Sequence, residues 1–170
     1  MATGNTDSAE RHFKESAAQG EVLGHFNLGQ SRSSRSLRTV TNSTMPGTEL
    51  DVLAVDRKEN VLTVKWAVRN DRDEPLSGQF GLTGRNPHTF VRDEKNGKSY
   101  YVLQDERSRT LASQHTYLGA DTYGIGVELA PRSTGRYWMK FAAPPLEVET
   151  VTLFFDAADE PLEDLSIRDL

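Results

Sequence analysis

The chain has 170 residues, 36% of them apolar, with a net charge of -5 and no cysteine. That length suits one domain plus a tail, and a domain of about 120 residues buries roughly two-thirds of its unfolded surface without a disulfide or a metal. The acidic balance disfavours a nucleic-acid binder, the missing cysteines exclude disulfides and thiol chemistry, and no apolar run approaches the ~20 residues of a membrane-spanning helix.

Residues 1–47 read as a flexible polar tail or linker. MATGNTDSAERHFKESAAQG offers one or two weak helical turns around Phe13, with Asp7 or Ser8 as a cap. QSRSSRSLRTVTNST is rich in Ser, Thr and Arg and has almost nothing to bury. Arg32, Arg35 and Arg38 recur at every third residue there, a spacing better explained by a solvated linker than by a phosphate-binding patch.

Alternation begins after Gly47, and residues 48–170 form the expected folded domain. ELDVLAVD reads as a strand, RKEN as a turn, and NVLTVKWAVRND as a second strand with Leu62, Val64, Trp66 and Val68 on one side. QFGL is a short third strand. TFVRDEKNGKSYYVL is a hairpin, because Asn96-Gly97 tolerates the positive φ angles of a tight turn. Residues 111–123, LASQHTYLGADTY, show little alternation and read as a crossover loop. Further strands place Ile125, Val127 and Leu129, then Tyr137, Met139 and Phe141, then Val151, Leu153 and Phe155 inward. EPLEDLSI supplies a closing strand with Leu162, Leu165 and Ile167. Seven to nine short strands with no helical period between them mean an all-β antiparallel sandwich, favoured here over a small closed barrel. Trp66 and Trp138 are expected as core anchors or lids over the core.

Catalytic signals are weak. His12, His25, His88 and His115 lack the close spacing that prearranges metal ligands, and a copper site from His88, His115 and Met139 is disfavoured. No G-x-S-x-G or S-x-x-K marks a nucleophile, and the Gly pairs at 81 and 84 and at 124 and 126 precede no helix that would cradle a phosphate. No enzyme and no cofactor are expected. Two acidic turns, with Asp71, Asp73 and Glu74 in one and Asp156 and Asp159 in the other, supply the hard oxygen ligands that calcium takes at a sandwich rim. Arg72 inside the first turn argues for plain solvated turns instead. Tyr100, Arg109, His115, Tyr117 and Tyr123 gather around one long segment and form the candidate recognition surface for a protein or a glycan.

Three segments carry a resemblance: NVLTVKWAVRNDRDEP, GKSYYVLQDERSRTLAS and FAAPPLEVETVTLFFDAADEPLEDLSI. Their W-x-x-x-N strand end, F-x-A-P-P linker and closing P-hydrophobic-E-D-hydrophobic-x-I resemble the immunoglobulin-like extracellular domain of actinobacterial secreted proteins and lipoproteins, the type found beside OmpA-like domains. The resemblance covers residues 48–168. It implies an immunoglobulin-like sandwich outside the cytoplasm, acting as a non-catalytic binding or spacer module, with a calcium- or glycan-binding carrier as the alternative. It also implies a protein or cell-envelope component as partner and a lipid anchor in the native precursor, since Met1 stands where a mature lipoprotein carries its lipidated cysteine. In that group the place of Thr110-Leu111-Ala112-Ser113 often reads Cys-Leu-Cys-Ser, a pair this chain lacks.

Overall fold

A computed structural model describes residues 36–42, 45–81, 89–113, 115–119 and 122–170, all within the unit Ser34–Leu170. These residues are all-β. The strands run β1 (Arg38–Thr41), β2 (Thr48–Lys58), β3 (Val61–Asn70), β4 (Leu76–Gly81), β5 (Phe90–Asp93) and β6 (Lys98–Tyr101). They continue with β7 (His115–Gly119), β8 (Thr122–Leu129), β9 (Thr134–Ala142), β10 (Thr150–Phe154), β11 (Leu162–Ser166) and β12 (Arg168–Asp169). Twelve described strands replace the seven to nine expected, and the surplus is the short β1, β7 and β12. The first of these lies in the segment read as tail, so the sheet begins at Arg38 rather than at Thr48. The second lies in the segment read as a crossover loop. No helix among the described residues is long and apolar enough to cross a membrane.

The strands form three sheets. The main sheet has the order β1-β2-β3-β9, with β12 also paired to β2; the second is β11-β10-β5-β6; the third is β4-β8-β7. Every pairing is antiparallel except β12 on β2. The inward residues of all three sheets merge into one apolar cluster. Trp66 of β3 joins them: its ring meets Tyr137 of β9 at 4.8 Å, Phe155 just past β10 at 4.6 Å and Phe80 of β4 at 5.8 Å. Burying one such indole stabilises the fold by about 2–3 kcal/mol, and its edge contacts to the neighbouring rings add to that. Trp138, expected in or over the core, lies instead on the opposite face of β9, with the Lys140 ammonium 5.5 Å from its ring centre.

Each motif behind the resemblance has a structural task. Asn70 ends β3 fully buried; its amide donates to the carbonyls of Glu74 and Ala130, and its oxygen accepts from the Arg72 N–H, so one side chain closes the 71–75 turn. Residues 110 and 112 are both buried where Val102–Ser113 lies along β9, through Leu103 N–H to Lys140 O at 2.8 Å and Ser113 N–H to Trp138 O at 2.9 Å. Pro161–Ile167 contains β11, whose irregular register leaves Leu162 and Leu165 both inward, with Asp164 at φ 56°.

The F-x-A-P-P linker is held by an arginine. A bulge between Val52 and Ala54 turns the inward positions of β2 from Leu50 and Val52 to Val55 and Arg57. The Arg57 guanidinium, 3% exposed, donates to both carboxylate oxygens of Asp169 and to the carbonyls of Pro144, Pro145, Leu146 and Val148. Next to it, buried Asp56 accepts from Lys65 at 2.8 Å and from Arg168 at 2.6 Å. Two adjacent β2 residues thus fasten both the linker and β12.

Candidate binding surface

The β5–β6 hairpin sets the register of the second sheet. Asp93 is fully buried and accepts both the Asn96 backbone N–H at 3.1 Å and the Asn96 side-chain amide at 2.7 Å. Gly97 takes φ 64°, which costs a glycine little. The turn therefore pairs Asp93 with Lys98, Val91 with Tyr100 and Phe90 with Tyr101. Side chains alternate across a strand. Val91, Asp93 and Tyr100 face the core, while Phe90, Arg92 and Tyr101 face out.

On the outer side β10 continues the row, because Phe154 pairs with Phe90. The Phe154 and Phe90 rings stack at 4.5 Å with planes 12° apart, and Phe90 meets Tyr101 at 5.6 Å. Tyr101 is 53% exposed and the two phenylalanines are half-buried. Three rings standing side by side across three strands are mutually supported, each pair contributing about 0.5–1 kcal/mol. They present a fixed apolar ridge to solvent.

The candidate recognition residues fall elsewhere. Tyr100 points into the core and is not available as a surface contact; burial, then the charges of Asp93 and Glu147, push its phenol pKa above the ordinary value. Lys98 sits 5.1 Å from the Tyr100 ring centre. Arg109 is exposed but belongs to its own turn: Asp105 accepts its guanidinium at 2.7 Å and the backbone N–H groups of Arg107 and Arg109. These bonds, that from the Arg109 side chain foremost, hold the Asp105 carboxyl below its usual value. His115 stands opposite Ile125 in the β7–β8 register and Tyr117 opposite Tyr123. Their side chains, and His88 altogether, lie outside the described residues.

In the acidic turns, Asp73 is paired with Arg132 at 2.8 Å and Glu74 with Arg72 at 2.7 Å, while Asp71 is exposed beside them. Asp156 is anchored through its backbone N–H to the Thr89 hydroxyl, and exposed Asp159 follows in the same turn. Among the described residues no three His, Asp or Glu side chains converge as metal ligands do.

Further perturbed ionisable groups lie at the β2 clasp. Burial alone would raise the pKa of Asp56, but hydrogen bonds from Lys65 and Arg168, with their charges, outweigh it and hold the carboxyl below its ordinary value. The bond from Arg57 lowers Asp169 likewise. Such shifts mark active sites when they gather in a cleft. Here the partners are the residues that fasten β12, so the shifts record structure.

Comparison with family models, curated proteins and solved structures returned no match for this chain. The ring row was not among the sequence candidates, although two signals carried it. A four-residue turn around Asn96-Gly97 sets Phe90 opposite Tyr101, and in Phe154-Phe155 alternation sends one ring inward and the other out.

Proposed function

We propose that this chain is a non-catalytic binding module of a bacterial envelope protein, working outside the cytoplasm and holding another protein through the Tyr101–Phe90–Phe154 row. The observation that carries the reading is that row: three rings in register on the solvent face of a rigid sheet, where such faces are ordinarily polar. The immunoglobulin-like character of the sandwich and the envelope location rest on the resemblance of its segments. The clasp supports a non-catalytic role, since its shifted carboxylates are engaged by Lys65, Arg168 and Arg57.

Co-sedimentation of the purified chain with isolated actinobacterial envelopes tests the reading. Pelleting should occur, disappear when the envelopes are first treated with protease, disappear for Tyr101→Ser, and be indifferent to calcium. Pelleting on protease-stripped peptidoglycan would assign the row to a glycan, and calcium dependence would return the site to the acidic turns. Undiminished pelleting of Tyr101→Ser would remove the row from the interface. No pelleting at all would leave a spacer.

A further inference from the structure

The ring row does not end at polar, neutral surface. Two residues back along β10 from Phe154, on the same face, Thr152 pairs with Arg92, and beyond it opens a groove of about 350 Å³ at the end of the second sheet. Its walls carry Glu94, Glu147, Glu149 and Asp164 against one cation, Lys95. Lys95 is directed to the Glu147 carbonyl at 3.3 Å and Glu94 is shared with Arg92 at 3.4 Å. Glu147, Glu149 and Asp164 have no ion-pair partner among the described residues. The groove walls therefore carry four carboxylates to one ammonium, an excess of negative charge. Independently, Thr152 is only 5% exposed and lines the groove, and its hydroxyl bonds to no described side chain or backbone group. Enough of that hydroxyl reaches the groove surface to be open to a donor from outside.

We infer that the second sheet's outer face receives a cationic segment of a partner protein, one apolar residue lying on the Tyr101–Phe90–Phe154 row and neighbouring Lys or Arg side chains entering the groove beside Thr152. The inference rests on the proposed reading of that row as the contact surface and adds the chemistry of what lies on it. Charge complementarity selects the occupant: a basic side chain meets carboxylates that outnumber the groove's own cation and gives the Thr152 hydroxyl a donor to accept from. An acidic segment would add charge of the same sign, and a neutral one would leave the carboxylates uncompensated.

The test uses three labelled twelve-residue peptides on the full chain, read by fluorescence anisotropy. One alternates Lys with Leu and Tyr, one replaces every Lys by Glu, and one keeps Lys but replaces the apolar residues by Ser. Only the first should bind well, and its affinity should fall as salt rises from 0.05 to 0.5 M, because exposed charges are screened over about 10 Å at 0.1 M. The triple variant Glu147→Gln, Glu149→Gln, Asp164→Asn should weaken it about tenfold, the effect of three solvent-screened pairs. Asn is chosen at 164 because it tolerates the positive φ there; an unchanged melting temperature confirms that the variant folds. Equal binding of the Glu peptide, an unaffected triple variant, or no binding of the first peptide at millimolar concentration would overturn the inference. Envelope pelleting that depends on Tyr101 but ignores the triple variant would overturn it while leaving the proposed function standing.

Discussion

Replacing Arg57 by Met tests the clasp most directly. Methionine keeps the apolar stem and approximate volume but offers no donor, so every acceptor around the guanidinium loses its bond. Pro145 and Leu146 are exposed; the Pro145 carbonyl keeps the Val148 N–H at 3.0 Å, and the Leu146 carbonyl turns to water. The carbonyls of Pro144 and Val148 are buried and have no other donor among the described residues. A buried acceptor left without a partner costs about 1–2 kcal/mol, so these two set the loss at about 3 kcal/mol. The Asp169 carboxylate is 62% exposed, so its pairing is screened and is left out of that sum. For a domain of this size the loss lowers the melting temperature by about 10 °C. Urea unfolding measures it, with an unchanged slope showing that the two end states are the same. Asp169→Asn is the control, because an amide oxygen still accepts from Arg57. A loss under about 1 kcal/mol for Arg57→Met, or an equal loss for Asp169→Asn, would refute the carbonyl cradle as the source of stability.

Acid should unfold the domain through the same clasp, together with the Asp105 turn. Asp56, Asp105 and Asp169 all have lowered folded-state pKa values, so their stabilisation is complete above the unfolded value and is lost as pH falls through the folded one. Unfolding free energy should be level near neutrality and decline below about pH 4. Asp56→Asn should flatten that decline; an acid limb of unchanged steepness would show that Asp56 plays no part in it. At the alkaline end, the raised pKa of Tyr100 contributes stability below its unfolded value, lost as pH climbs through the folded one. Its hydroxyl is also buried with no hydrogen-bond partner among the described residues. Tyr100→Phe should therefore raise stability near pH 7 by about 1 kcal/mol in urea titration, and a loss of that size would reveal a bonded hydroxyl.

Where a strand carries three or more apolar residues at period two, the sequence reads directly. Leu62, Val64, Trp66 and Val68 announce β3, and Tyr137, Met139 and Phe141 announce β9, because only one face of each is dry. In β1 only Val40 is buried, and one apolar residue makes no period, so the strand is invisible among its Ser, Thr and Arg neighbours. In β2 the bulge shifts the inward set by one position. Arg57 thereby lands inside, where composition assigns it to the Arg-Lys-Glu-Asn turn. The site was harder still. Tyr100 and Tyr101 are adjacent and chemically identical, so deciding which is exposed requires the hairpin register rather than residue type. The groove is assembled from the 94–95 turn, residues 147–152 and the β11 bulge, segments whose meeting depends on β10 lying between β5 and β11.

The side of β2 away from β3 is covered by two short strands laid end to end. The antiparallel β1 reaches residues 49–52 and the parallel β12 reaches residues 56–57. Two residues of parallel pairing supply few backbone bonds, so Asp56 and Arg57 hold that half of the edge shut mainly through side chains. When acid or mutation releases β12, the end of an eleven-residue strand is left with bare N–H and C=O groups facing water. Such an edge pairs with whatever strand arrives, and the nearest match is β12 of another molecule. The same two residues that fasten the chain's last strand therefore also guard the protein against strand exchange and self-association.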